Sequence, residues 1–258
     1  MPTYSEYLKL DELLSLQIPA AGGREHDEML FIVIHQSYEL WFKQILHELD
    51  YLQGLLGRRD LPRAGHTMKR ILTILKMMVG KIDILETMTP LEFLTFRDRL
   101  ESGSGFQSVQ FRELEFALGH KRRGQIDRVP AGPARNRLAA RFDQPTLWDA
   151  YLGLLASHGY AVPEDALGRD VTAPIAPSPA VQRVLIDVYR GDAVLADFSE
   201  RLVDLDEGVQ EWRYRHVKMV ERTIGSKPGT GGSPGASYLK TTLDRPLFPD
   251  LWAIRTEF

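Results

Sequence analysis

The chain has 258 residues, 43% of them apolar and 26% charged, a composition typical of globular proteins and long enough for a substantial core in one or two domains. Thirty-two Lys and Arg against 35 Asp and Glu leave a net charge of -3, which gives no electrostatic basis for nucleic acid or an anionic membrane as the main partner. There is no cysteine, which excludes disulfides, iron–sulfur clusters, cysteine-based zinc sites, thiolate-ligated iron and a cysteine nucleophile. Metal chemistry is left to histidine and carboxylates, or to a cofactor that brings its own ligands.

The first residues, Met1 to Leu8, are polar and include Glu6, unlike a secretory leader. The longest uninterrupted apolar run, Met29 to Ile34, is far shorter than the roughly 20 residues a membrane-spanning helix needs. A cytoplasmic protein without a membrane partner is expected.

Helical periodicity dominates. From Asp27 to Leu56 the residues Phe31, Ile34, Tyr38, Trp41, Phe42, Ile45, Leu49, Leu52 and Leu56 recur at spacings of three and four, with Asp27 and Glu28 suited to the first turn and Gly57 to the end. A second helix is expected from about His66 to Met88. Thr89-Pro90 reads as N-cap and first-turn proline of a short helix through Leu100. Ser102 to Gly105 breaks the chain, and periodicity resumes over Gln107 to Leu118. Arg128 to Asn136 reads as a loop, Leu147 to Ala156 as a helix, and Val162 to Pro179 as a proline-rich connection. Helices then follow from Pro179 and, beyond Gly191, up to Ile224, with a last short one over Ala236 to Leu243. With strand signals nearly absent and no internal repeat, the expected fold is all-α, one bundle-like domain over residues 1–258.

Four segments bear on chemistry. His35 lies four residues after Phe31 and three before Tyr38, on the aromatic side of its helix, whereas His26 and His47 point about 180° and 120° away. Spacing leaves open a structural histidine or a polar group poised in an aromatic pocket. His216 sits within a turn of Trp212, Met219 and Val220, with Arg213 and Arg215 close by. It is either a core histidine beside a basic face or a neutral imidazole able to ligate haem iron. Gly225 to Gly235 holds five glycines in eleven residues. It fits neither a P-loop nor a dinucleotide fingerprint, and Ser233 lacks the strand a nucleophile elbow requires, so a mobile loop is the expectation. Arg97, among Phe93 and Phe96 before the Ser102–Gly105 break, suits either a surface ion pair or a bidentate grip on a carboxylate.

Taken together, several strings resemble the tryptophan 2,3-dioxygenase family. They are His26-Asp27-Glu28-Met29-Leu30-Phe31-Ile32-Val33-Ile34-His35-Gln36 with Glu39-Leu40-Trp41, Leu85 to Pro90, Phe96-Arg97, and Ser104 to Ser108 with Gln110 and Arg112. Trp212-Arg213 with His216, Ile224-Gly225, Gly229 to Ser233 and Phe248-Pro249 follow in family order, so the resemblance covers nearly the whole chain. It implies an all-helical homotetramer binding haem b, ferrous in its active form, that uses O2 to cleave the indole C2–C3 bond of L-tryptophan. His216 matches the axial iron ligand, His35 the distal histidine facing the indole nitrogen, and Phe31 and Leu100 the apolar walls around the indole. Arg97 matches the residue holding the substrate carboxylate, Thr230 the loop contact to the substrate's ammonium or carboxylate, and Ser104 a residue near haem and oxygen. Tyr4, Tyr7 and Leu8 match residues contributed to a neighbouring subunit's site by an N-terminal arm of about residues 1–20. Phe93 and Pro234 depart from the pattern, where some relatives carry tyrosine and where the loop usually reads serine. Alternatives within the same resemblance are a haem enzyme acting on another indole or aromatic amino acid, and a non-catalytic haem or tryptophan sensor.

Overall fold

A computed structural model describes residues 1–100, 103, 105–230 and 235–258, with the backbone alone at Phe106. Ser104, Ser233 and Pro234, singled out by the sequence, lie outside the described residues. Fourteen α-helices and no strand occur among the described residues, an all-α fold as expected. They are α1 (Tyr4–Leu8), α2 (Leu10–Leu14), α3 (His26–Gly57), α4 (Leu61–Leu85), α5 (Pro90–Arg97), α6 (Val109–Ala117) and α7 (Gly124–Asp127). The second half holds α8 (Pro133–Phe142), α9 (Leu147–Ser157), α10 (Glu164–Leu167), α11 (Pro179–Gly191), α12 (Ala193–Ile224), α13 (Ala236–Lys240) and α14 (Pro249–Ala253). No helix among the described residues is long and apolar enough to cross a membrane.

Local chemistry sets several boundaries. Glu28, in the first turn of α3, accepts from Ala20 N at 2.7 Å and Ala21 N at 2.9 Å, which pins the end of the N-terminal arm. The α4 helix starts at Leu61, five residues before the expected His66, because Asp60 caps it by accepting from Arg63 N at 3.3 Å. Thr89 and Glu92 form a reciprocal capping box on α5, as the Thr89-Pro90 pair suggests. Arg128 to Asn136 is not wholly loop: Pro133 occupies the first turn of α8, whose Leu138 and Phe142 pack on Phe116 and Ile126. The proline read as a breaker is here a starter, since its fixed φ suits a helix's first turn. The Val162–Pro179 connection likewise contains the single-turn α10.

Both 32-residue helices, α3 and α12, pack along α4 and leave a space between them that holds the site. The approach of α12 to α4 is close at Gly208, where a Cβ would come within 2.8 Å of the Leu75 side chain. One buried carboxylate ties the C-terminal segment to this frame. Asp206, fully buried on α12, accepts from Leu247 N at 2.8 Å, Phe248 N at 3.1 Å, Trp252 Nε1 at 2.8 Å and Gln210 Nε2 at 3.0 Å. Asp206→Ala orphans these donors at roughly 1–3 kcal/mol each. The expected result is a urea unfolding free energy lowered by at least about 3 kcal/mol; a loss below about 1 kcal/mol contradicts the latch.

Candidate active site

On α3, Phe31, His35, Tyr38 and Phe42 share one face by helical spacing, and on α12 Trp212, His216, Met219 and Thr223 do the same. The two faces bound a cavity that opens to solvent. Phe93 and Arg97 of α5, Gly229 and Thr230 of the glycine-rich loop, and Tyr238 of α13 complete its walls.

The α3 histidine has a defined tautomer. His35 Nδ1 lies 2.7 Å from Phe31 O, and a carbonyl only accepts, so Nδ1 carries the proton and Nε2 keeps a lone pair. Burial lowers the His35 pKa, against the opposing effects of that hydrogen bond and of Glu39. The Phe31 ring covers the imidazole with centroids 4.1 Å apart.

His216 takes a different support. Its ring stacks on Trp212 at 5.2 Å and 7°, and it makes no hydrogen bond among the described residues. Burial, then His35 and Arg112, push its pKa down to about 4, so it is a neutral donor at pH 7. The influence of His35 on His216 follows from their sharing one chamber.

At another wall, Glu115 is ringed by Arg112 at 2.6 Å, Arg122 at 2.8 Å and Arg213 at 3.2 Å. Burial raises the Glu115 pKa, but the three guanidinium groups outweigh it and hold the carboxyl below the ordinary range. Three cations around one anion leave an excess of positive charge, and Arg112 and Arg213 line the cavity. Arg213 Nη2 also donates to His120 Nδ1 at 2.9 Å, and burial followed by Arg213 lowers the His120 pKa to about 4.

Two neutral histidines make stability pH-dependent. Unfolded, His120 and His216 titrate near 6.5; folded, near 4. Between these values the unfolded chain binds more protons, so stability falls as pH drops through 6.5, by about 1.4 kcal/mol per unit for each group. The unliganded protein is expected to unfold at lower urea at pH 5 than at pH 7, with His120→Gln narrowing the gap; equal midpoints contradict this.

The segments around the cavity mouth are fastened to each other. Arg97 Nη2 donates to Pro228 O at 2.6 Å, and Thr230 Oγ1 donates to Gly103 O at 2.6 Å. Of the residues drawn from the sequence, Phe31, His35, Arg97, Thr230 and His216 thus meet at one chamber. Leu100 packs against the core without lining it. Tyr4 and Tyr7 are 76% and 75% exposed and, with Leu8, lie on an arm that stands clear of the cavity. His26 and His47 stay outside, as the helical angles require. Sequence reasoning missed Glu115 and Thr242, a cavity-lining residue whose carbonyl accepts from Arg213 Nη1 at 3.2 Å. The Arg112–Glu115 spacing of three signals a helical ion pair, but convergence with Arg213 is tertiary.

An all-α frame with an aromatic chamber that carries two neutral imidazoles and guanidinium groups on its walls defines a helical protein with one composite aromatic and cationic site. The family model for tryptophan 2,3-dioxygenase matches residues 1–139 and 176–258. The chain belongs to the tryptophan 2,3-dioxygenase family. The tryptophan 2,3-dioxygenase of Herpetosiphon aurantiacus is 60% identical over 255 residues, covering 99% of this chain and 98% of the relative. That of Anaeromyxobacter sp. strain K is 59% identical over 258 residues, covering 98% and 95%, and that of Caulobacter vibrioides 45% over 259 residues, covering 99% and 98%.

Proposed function

We propose that this chain is a haem-dependent dioxygenase converting L-tryptophan and O2 to N-formyl-L-kynurenine. The observation that carries the reading is the pair of neutral imidazoles, His35 and His216, across one aromatic chamber in a chain of this family. The donor set fits haem b. His216 offers a neutral nitrogen in an aromatic chamber that opens to solvent, and Arg112 and Arg213 on its walls offer positive charge to the propionates. No group of three His, Asp or Glu among the described residues is set to hold a bare metal ion. When bound in ferrous form, haem supplies the iron chemistry that activates O2.

The protein's own work is positioning and exclusion of water. Phe31 flanks the indole, with Leu100 behind this wall, and His35 Nε2 accepts the indole N–H, which fixes the ring's orientation. Arg97 grips the substrate carboxylate in place of Pro228 O, and Thr230 leaves Gly103 O to contact the carboxylate or ammonium. Selection of a free amino acid follows, since a ligand without a carboxylate leaves Arg97 on Pro228 O and gains no charge-assisted bond from it. The family resemblance alone gives Ser104 a role toward haem and oxygen, and by the same resemblance Tyr4, Tyr7 and Leu8 complete the site of a neighbouring subunit in a homotetramer. The exposure of the two arm tyrosines supports that role. The test is turnover under labelled O2. Both labelled atoms in N-formylkynurenine are the expected result, and product with at most one overturns the dioxygenase reading.

A further inference from the structure

A histidine that ligates a metal almost always donates its second ring N–H to a carboxylate, a carbonyl or water, and that bond sets the ring plane. His216 makes no such bond to any described residue. What it has instead is a flat indole. Trp212, one helical turn earlier on α12, lies 5.2 Å from the imidazole at an interplanar angle of 7°.

The indole is itself held by packing. Phe111 contacts it at 5.0 Å and 41°, Phe42 at 6.2 Å and 83°, and Tyr38 at 6.2 Å and 67°. Its buried Nε1 meets no described residue at full hydrogen-bond geometry and interacts only with the Tyr38 hydroxyl, so ring packing with that polar contact orients it. Tyr38 is in turn anchored by a 2.7 Å hydrogen bond from its hydroxyl to Met78 O on α4. Rings from α3 and α6 therefore fix a ring on α12, and that ring fixes the imidazole.

We propose that Trp212 is the positioning residue for His216, setting the plane of its imidazole by aromatic stacking. Phe42 and Phe111 act through Trp212. This inference rests on the haem reading above. A stacking partner constrains rotation of the ring without withdrawing its N–H proton, so its contribution is to geometry.

The test is resonance Raman of the ferrous haem-loaded protein, read at the iron–histidine stretch, with the midpoint potential as a second readout. Trp212→Leu is expected to shift and broaden the band, and Trp212→Phe, which keeps a flat partner, to restore most of the wild-type position and width. Phe111→Leu, which loosens the indole without removing it, is expected to broaden the band to a lesser degree, and it stands in if Trp212→Leu does not fold. An unchanged band and potential in folded Trp212→Leu, or in Phe111→Leu where that variant stands in, overturn the role of Trp212. Wild-type protein that takes up haem without an iron–histidine band overturns the His216 assignment beneath it.

Discussion

Replacing His216 with alanine is expected to yield a folded protein that no longer retains haem on gel filtration and loses turnover by more than about 100-fold, beyond the range seen when only an outer partner of a metal ligand is lost. The side chain stacks on Trp212 with no hydrogen bond to any described residue, and burial keeps it neutral at pH 7. Removing it should therefore not cost a structural hydrogen bond; alanine leaves a larger chamber lined by Trp212, Met219 and Val220. His35→Ala provides the contrast. Its ring is tied to Phe31 O, and its loss is expected to preserve haem while slowing turnover. Haem lost from His35→Ala but kept by His216→Ala would mean that the two faces of the chamber have been assigned in reverse.

Arg97→Ala is expected to raise the KM for tryptophan by about 10- to 150-fold, the equivalent of about 1.5–3 kcal/mol for a lost hydrogen bond to a charged group. The effect on kcat should be smaller. In the structure this guanidinium is already engaged with Pro228 O at 2.6 Å, so a substrate carboxylate competes with the loop for the same donors. The variant thereby also frees the glycine-rich loop, and faster proteolysis between α12 and α13 is expected alongside the KM change. An unchanged KM removes Arg97 from substrate binding, whatever happens to the loop.

The helical faces that carry the site are legible in the sequence because they obey one period. Phe31, His35, Tyr38 and Phe42 fall on one side of α3, and Trp212 and His216 are one turn apart on α12, so each half of the chamber is written locally. What is not local is how the halves meet. Arg213 reaches Glu115 across 98 positions and Arg97 reaches Pro228 across 131, and no spacing rule encodes either pairing. The start of α4 moved for a smaller reason, a single Asp60 cap, and α8 was hidden because proline and glycine mark loops and helix starts alike. Tyr4 and Tyr7 show the opposite limit. Their own helix folds through the Thr3–Glu6 capping box, but their rings are exposed and find no partner among the described residues, so their role is read only through the family.

The most direct test is to reconstitute the protein with haem, reduce it, and mix it with L-tryptophan in air while recording the absorbance spectrum. A Soret band together with accumulating N-formylkynurenine is the result expected from a chamber that holds haem at His216 and substrate at His35 and Arg97. A Soret band without product contradicts the catalytic reading in favour of a haem or tryptophan sensor, and no Soret band contradicts the cofactor assignment itself.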